Sequence, residues 1–240
     1  QALYWPVLHS FRPGLTTDPF APYWLLWFLL SLATWRLMLP VFIRLPFPVV
    51  TAFVLAVAAG FVDAIDHTLS LSRTLFFFPA YLLGHLYKDR LGTLSQIPAP
   101  LRLAVLATLV GVTGLLIASG TYVIHLYGST PYSALAPAPF APAALRILVI
   151  LAGLTAALAF LSLIPRRAGP LTELGQASLT IYLLHGFVVL AFWSVTPSEM
   201  APNPWMFFGL TGLLSLAIAY TLAKLDRVWT RGGIRKRVLG

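Results

Sequence analysis

Cysteine is absent from the 240 residues, which excludes disulfides, thiolate metal sites and a thiol nucleophile. Charge is scarce as well: Asp, Glu, Lys and Arg make up 10% of the chain, and only seven of those residues are acidic. A soluble domain carries about 25% charged residues. With 59% hydrophobic residues and a mean hydropathy of +0.85, this chain cannot hide its apolar surface in water. A signal-peptide pattern is missing from the start, which is Gln1, and no repeat of solenoid period is present. No metal is expected.

What fills the chain is a series of apolar stretches at about 23–39, 47–63, 72–88, 101–119, 143–164, 176–195 and 205–224. Each approaches the roughly 20 residues that cross a hydrocarbon core about 30 Å thick. Lipid offers the backbone no hydrogen-bond partner, so spans of this length must be helices rather than barrel strands. The expected fold class is all-α, a polytopic transmembrane helical bundle with about seven spans in a single domain over 1–240.

The cations orient it. Of sixteen Lys and Arg residues, twelve fall in alternate connections and in the tail: Arg44, Lys88, Arg90, Arg102, Arg166, Arg167 and six from Lys224 to Arg237. Three (Arg12, Arg73 and Arg146) fall on the other side, and Arg36 lies within the first span. This positive-inside bias predicts a cytoplasmic C-terminus, with residue 1 and the Pro- and Ala-rich loop 120–142 outside a cytoplasmic membrane. The net charge of +9 then reflects topology and attraction to anionic lipid, and no nucleic acid is expected. A start outside the membrane without a translocation signal predicts that the chain is the C-terminal part of a longer protein.

Polar residues that lipid would exclude are the candidates for chemistry. In span one, Trp24, Trp27, Ser31 and Trp35 share a face ahead of Arg36. That face is either an aromatic belt with Arg36 snorkelling, or the wall of a pocket for a partly anionic ligand. In span three, Ser72 and Arg73 stand at the outer mouth. Pro79 removes a backbone donor and is expected to kink the helix, and Tyr81, Gly84, His85 and Lys88 form a stripe. In span six, Ser178, Tyr182 and His185 fall at i, i+4 and i+7, a polar stripe some 15 Å into the membrane.

The strings PYWLLWFLLSLATWRLMLP, LSLSRTLFFFPAYLLGHLYK and LTELGQASLTIYLLH, in this order, resemble the integral-membrane acyltransferase family 3, and more narrowly its branch similar to fucose 4-O-acetylase. The resemblance runs from about residue 20 to 225 and implies about ten spans, of which the first three would be missing. It implies O-acyl transfer, usually of acetyl, from acetyl-CoA as co-substrate to a hydroxyl of a sugar or cell-surface glycan. The family's Arg-x10-His pair has no match here; Arg73 and His85 have eleven residues between them. The principal catalytic His is therefore expected upstream, and the 240 residues alone are expected to be inactive.

General chemistry then distributes roles. An imidazole takes the proton of the attacking hydroxyl, a donor steadies the oxyanion, and cations hold the phosphates of CoA. The catalytic candidates are His185 as a relay, with Tyr182 and Arg73 as acceptor-side or oxyanion donors. Arg36, Lys88 and Arg90 are candidates for CoA, and Trp27, Ser178 and Tyr127 for the acceptor. Tyr122 and Tyr132 are offered with Tyr127 as platforms for a sugar ring. The rival reading is a transporter or flippase for a polar or lipid-linked substrate, although no inverted internal symmetry supports it.

Overall fold

A computed structural model of the chain describes residues 26–66, 68–118, 123–164, 169–195 and 213–225. Every regular element among the described residues is a helix, as the length of the apolar runs demands. The chain forms two compact units, residues 18–164 in one, and 1–17 with 165–240 in the other.

The first unit contains α1 (Leu26–Phe42), α2 (Pro48–Ala58), α3 (Leu71–Tyr87), α4 (Ala99–Ala118), α5 (Val123–Tyr127) and α6 (Phe140–Leu163). Single-turn helices cover Ala59–Phe61, Thr68–Ser70, Leu91–Gln96 and Tyr132–Ala134. Pro48 opens α2, where a missing N–H costs nothing. α3 packs against α1, α2 and α6. The α2 side of that contact is made of small residues: Ala52 and Ala56 are buried one turn apart, so the two backbones approach closely.

The α1–α3 seam is polar at its heart. Ser31 Oγ and Thr74 Oγ1 are 2.7 Å apart, and the indole N–H of Trp35 donates to Thr74 O at 2.8 Å. Farther along, Trp35 stacks on Tyr81 with centroids 5.3 Å apart, and Phe42 meets Phe78 edge-on at 4.7 Å. Partners advance together along both chains, so α1 and α3 run parallel. That direction suits two odd-numbered spans. α3 continues through the buried Pro79, and Trp35 serves the carbonyl next to the one that proline leaves without its donor.

Polarity is arranged inside out. Leu37 is 77% exposed and Phe140 78%, whereas Ser31 and Ser72 are 0% exposed and Arg146 only 4%. The two ends of the unit also differ in charge. At one end, the phenol of Tyr132 donates to Val57 O at 2.9 Å and Ser133 Oγ donates to Asp63, close to Arg73 and Arg146. At the other, Arg102 Nη1 donates to Ser162 O and the Leu91–Gln96 turn packs on α6, which gathers Lys88, Arg90 and Arg102.

In the second unit lie α7 (Pro170–Gln176), α8 (Ser178–Val195) and α9 (Leu213–Leu225). Helix bounds follow the expected spans to within a few residues, except that α9 is described only from Leu213. One helix, Phe140–Leu163, is by itself long and apolar enough to cross a membrane, with a mean hydropathy of 2.3. The other apolar helices are shorter. α2 with its single-turn extension ends at Phe61, reaching roughly 21 Å at helical rise, because the chain turns through residues 59–66 where the sequence had suggested a longer run. Trp24, Arg12, Arg166, Arg167, Tyr122, His67 and the cations beyond Leu225 lie outside the described residues.

Candidate active site

The stripe on α8 lines a cavity of about 370 Å³, within the size range of small-molecule sites. Ser178, Tyr182 and His185 supply its polar wall, Leu174 of α7 and Ile181 part of its apolar one, and α9 closes it with Ser215, Ile218 and Ala219. The spacing explains the arrangement. Residues at i, i+4 and i+7 share a helix face, and the short side chains at 215 and 219, one turn apart, leave space opposite the larger Tyr182 and His185.

The imidazole of His185 is held in a defined state. Nδ1 lies 2.7 Å from Tyr182 O and 3.0 Å from Ile181 O. A nitrogen facing two carbonyl oxygens must carry the proton, so the neutral ring keeps its lone pair on Nε2. The Tyr182 ring is 5.8 Å away, tilted by 53°. A neutral imidazole with an accepting nitrogen, beside a mostly apolar cavity, is equipped to take a proton from a hydroxyl.

In the first unit three other candidates converge. The guanidinium of Arg73 on α3 lies 5.4 Å from the Trp27 ring of α1 and 5.5 Å from the Tyr127 ring of α5. Its Nε is buried without a hydrogen-bond partner. α3 is entered through two left-handed residues, Leu69 (φ 50°) and Ser70 (φ 55°), a conformation costing about 1–2 kcal/mol for each L-residue. Two bonds to Asp66 hold that entry: Thr68 N–H donates to its Oδ1 at 2.7 Å and Ser72 N–H to its main-chain O at 3.1 Å. Strain of this kind is tolerated where the surroundings fix a functional side chain.

Ser31 and Trp35 belong to the α1–α3 seam, while Trp27 of the same face lies beside Arg73. Arg36, Lys88 and Arg90 are all exposed, and none of them lines the α8 cavity. His85 is exposed too, while Tyr81 of the same stripe is committed to Trp35. Tyr132 is 1% exposed and offers no face to a sugar, because its ring lies flat over Gly60 and its phenol is bonded to Val57 O. Burial raises that phenol above the usual tyrosine range, with the neighbouring Arg146 partly opposing the shift. Tyr127, at 55% exposed, is the accessible ring of the pair.

Sequence reasoning missed Arg146, taking it for a flanking cation. It sits 4% exposed on α6, its guanidinium 5.0 Å from the Phe76 ring and 5.8 Å from that of Tyr132. The signal was available: Arg146 already falls inside the expected span at 143–164, and the helix begins earlier still, at Phe140. Among the described residues no group of His, Asp and Glu could hold a metal ion.

The family model described as an acyltransferase domain, acyltransferase 3, matches residues 2–224. No curated protein and no solved structure matches the chain. A match over nearly its whole length, on a helical chain carrying the α3 and α8 strings described above, means that the chain belongs to the acyltransferase 3 family.

Proposed function

We propose that the protein is a multi-pass enzyme of the cytoplasmic membrane that transfers an acyl group, acetyl in the first instance, from acyl-CoA to a hydroxyl of a sugar or glycan. The observation that carries this reading is His185, with Nδ1 engaged by main-chain carbonyls and Nε2 left to accept, beside a cavity of about 370 Å³ in a chain of an acyltransferase family. Family membership also favours acyl transfer over transport.

In the proposed reaction, His185 Nε2 takes the hydroxyl proton as the acceptor oxygen attacks the thioester carbonyl. The tetrahedral oxyanion collapses, the carbon–sulfur bond breaks, and the CoA thiolate leaves and recovers a proton from the imidazolium. Tyr182 is the candidate donor to the oxyanion. Arg73, held between Trp27 and Tyr127, is assigned to acceptor recognition. Arg36, Lys88 and Arg90 remain candidates for the CoA phosphates only as an exposed cationic surface, through long-range attraction. Transfer of labelled acetyl from acetyl-CoA to glycan by membranes carrying the protein tests the reaction. Equal labelling by membranes without the protein, or no labelling, would refute it.

The outward apolar side chains and inward polar ones support membrane insertion, and the unequal charge of the two ends supports a cytoplasmic C-terminus. Ser133 is exposed, on the loop expected outside. A Ser133→Cys variant, in a chain with no native cysteine, should react with an impermeant maleimide on intact cells. Reaction only after lysis would reverse the orientation.

A further inference from the structure

Arg146 is buried, and among the described residues it has no counter-ion. Its Nη2 reaches Ser72 Oγ at 3.4 Å, but that hydroxyl already donates to Gly128 O at 2.6 Å, leaving only a lone pair for the arginine. Nε has no hydrogen-bond partner. Among the described residues no carboxylate pairs with it. Asp63 accepts from Ser133, and Asp66 caps the turn at Thr68. Removing an ion from water is costly, and a cation over an aromatic face returns only part of that cost. Phe76 and Tyr132 therefore offset only part of the penalty.

Beside the guanidinium is a small cleft lined by Arg146, His125, Thr130 and Tyr132, with Gly128 at its edge. Its volume of about 10 Å³ is on the threshold for one water-sized atom. A whole phosphate does not fit, but one of its oxygens does, with the rest of the group outside. The Thr130 hydroxyl, partly buried, is a further donor at the wall. Tyr132 stays a neutral phenol, its proton directed to Val57 O, so it supplies no negative charge of its own. A cation with an unused donor, a cleft of one-oxygen size and a hydroxyl beside it together describe an oxyanion receptor.

We propose that Arg146, with Thr130, forms an anion site that takes one oxygen of a phosphate group at the Arg73–Arg146 end of the first unit. The proposal does not depend on the acyl-transfer reading. The phosphate belongs either to a soluble phosphorylated molecule or to a lipid headgroup, and the two sources are separable by experiment.

The test is the melting temperature of the whole chain in a nonionic detergent. One arm adds inorganic phosphate against chloride at matched ionic strength; the other adds phosphatidylglycerol against phosphatidylcholine. In one of these arms the wild type should rise by about 3–5 °C. A rise with inorganic phosphate identifies a soluble source, and a rise with phosphatidylglycerol alone identifies a headgroup. In either case Arg146→Met should lose the shift, while its unliganded melting temperature stays level or rises, because an unpaired buried charge has gone. Thr130→Val should at least halve the shift with no change in the unliganded protein, which covers the event that Arg146→Met fails to fold. No shift of the wild type with either probe, or shifts that survive in the variants, would overturn the site. So would a large loss of unliganded stability in a folded Arg146→Met protein, which would make the arginine a structural support.

Discussion

Replacing His185 by leucine is expected to lower acyl transfer at least tenfold, and by about two to four orders of magnitude for a group that takes the proton directly. Abundance and melting temperature should change little. Leu is close in volume and favoured in an apolar setting, and the two Nδ1 contacts run to carbonyls of the same helix, at 2.7 and 3.0 Å. Those carbonyls retain their intrahelical partners, so removing the ring orphans no distant group. A packing role and a chemical role thus predict opposite outcomes, since packing alone would make the substitution neutral or stabilising. Steady-state transfer at matched protein abundance decides between them. Normal activity in a normally abundant His185→Leu protein would remove α8 from the mechanism.

Gly128→Ala should be the most damaging small substitution in the first unit. Gly128 has φ 59°, a left-handed conformation that costs an L-residue about 1–2 kcal/mol. A Cβ there would also stand 2.4 Å from a ring carbon of Phe76, which is 5% exposed and lies against Arg146. Overpacking of this kind adds about 1–3 kcal/mol, for a total of about 2–5 kcal/mol. The comparison variant is Gly84→Ala, on α3, where a Cβ meets nothing within 4 Å. It should be neutral or gain up to about 1 kcal/mol from helix propensity. Thermal denaturation of the two variants in detergent reads the difference, and equal melting temperatures would mean that the Phe76–Gly128 contact is not as described.

Why the α8 stripe was legible and Arg146 was not follows from the kind of information each requires. Ser178, Tyr182 and His185 are three polar residues on one apolar helix, so periodicity alone puts them on one face. The cavity needed only a second helix with small residues opposite, which α9 supplies at Ser215 and Ala219. Helix positions were readable for the same reason, because the runs are long and bounded by charge. Arg73 was singled out from the scarcity of cations at its end of the chain, and it does gather Trp27 and Tyr127. That meeting joins residues a hundred positions apart and is invisible to spacing.

Arg146 depended on packing. It stood inside the expected span, and only the contacts of its guanidinium with the rings of Phe76 and Tyr132 show that the side chain turns inward. Tyr132 shows the same limit. A tyrosine in a Pro-rich loop reads as exposed, yet Gly60, distant in sequence, receives its ring. The CoA assignment of Arg36, Lys88 and Arg90 rested on charge alone, and charge locates a side of the chain rather than a pocket.

The central claim, that the chain carries an acyl-transfer site built around the α8 cavity, is tested most directly by release of free CoA thiol. The chain has no cysteine, so a thiol reagent added with acetyl-CoA reads the CoA product without background from these 240 residues. For the full-length protein the account predicts thiol release that depends on an added sugar or glycan hydroxyl and falls at least tenfold in His185→Leu. Release that is independent of acceptor, or equal in wild type and variant, would contradict it.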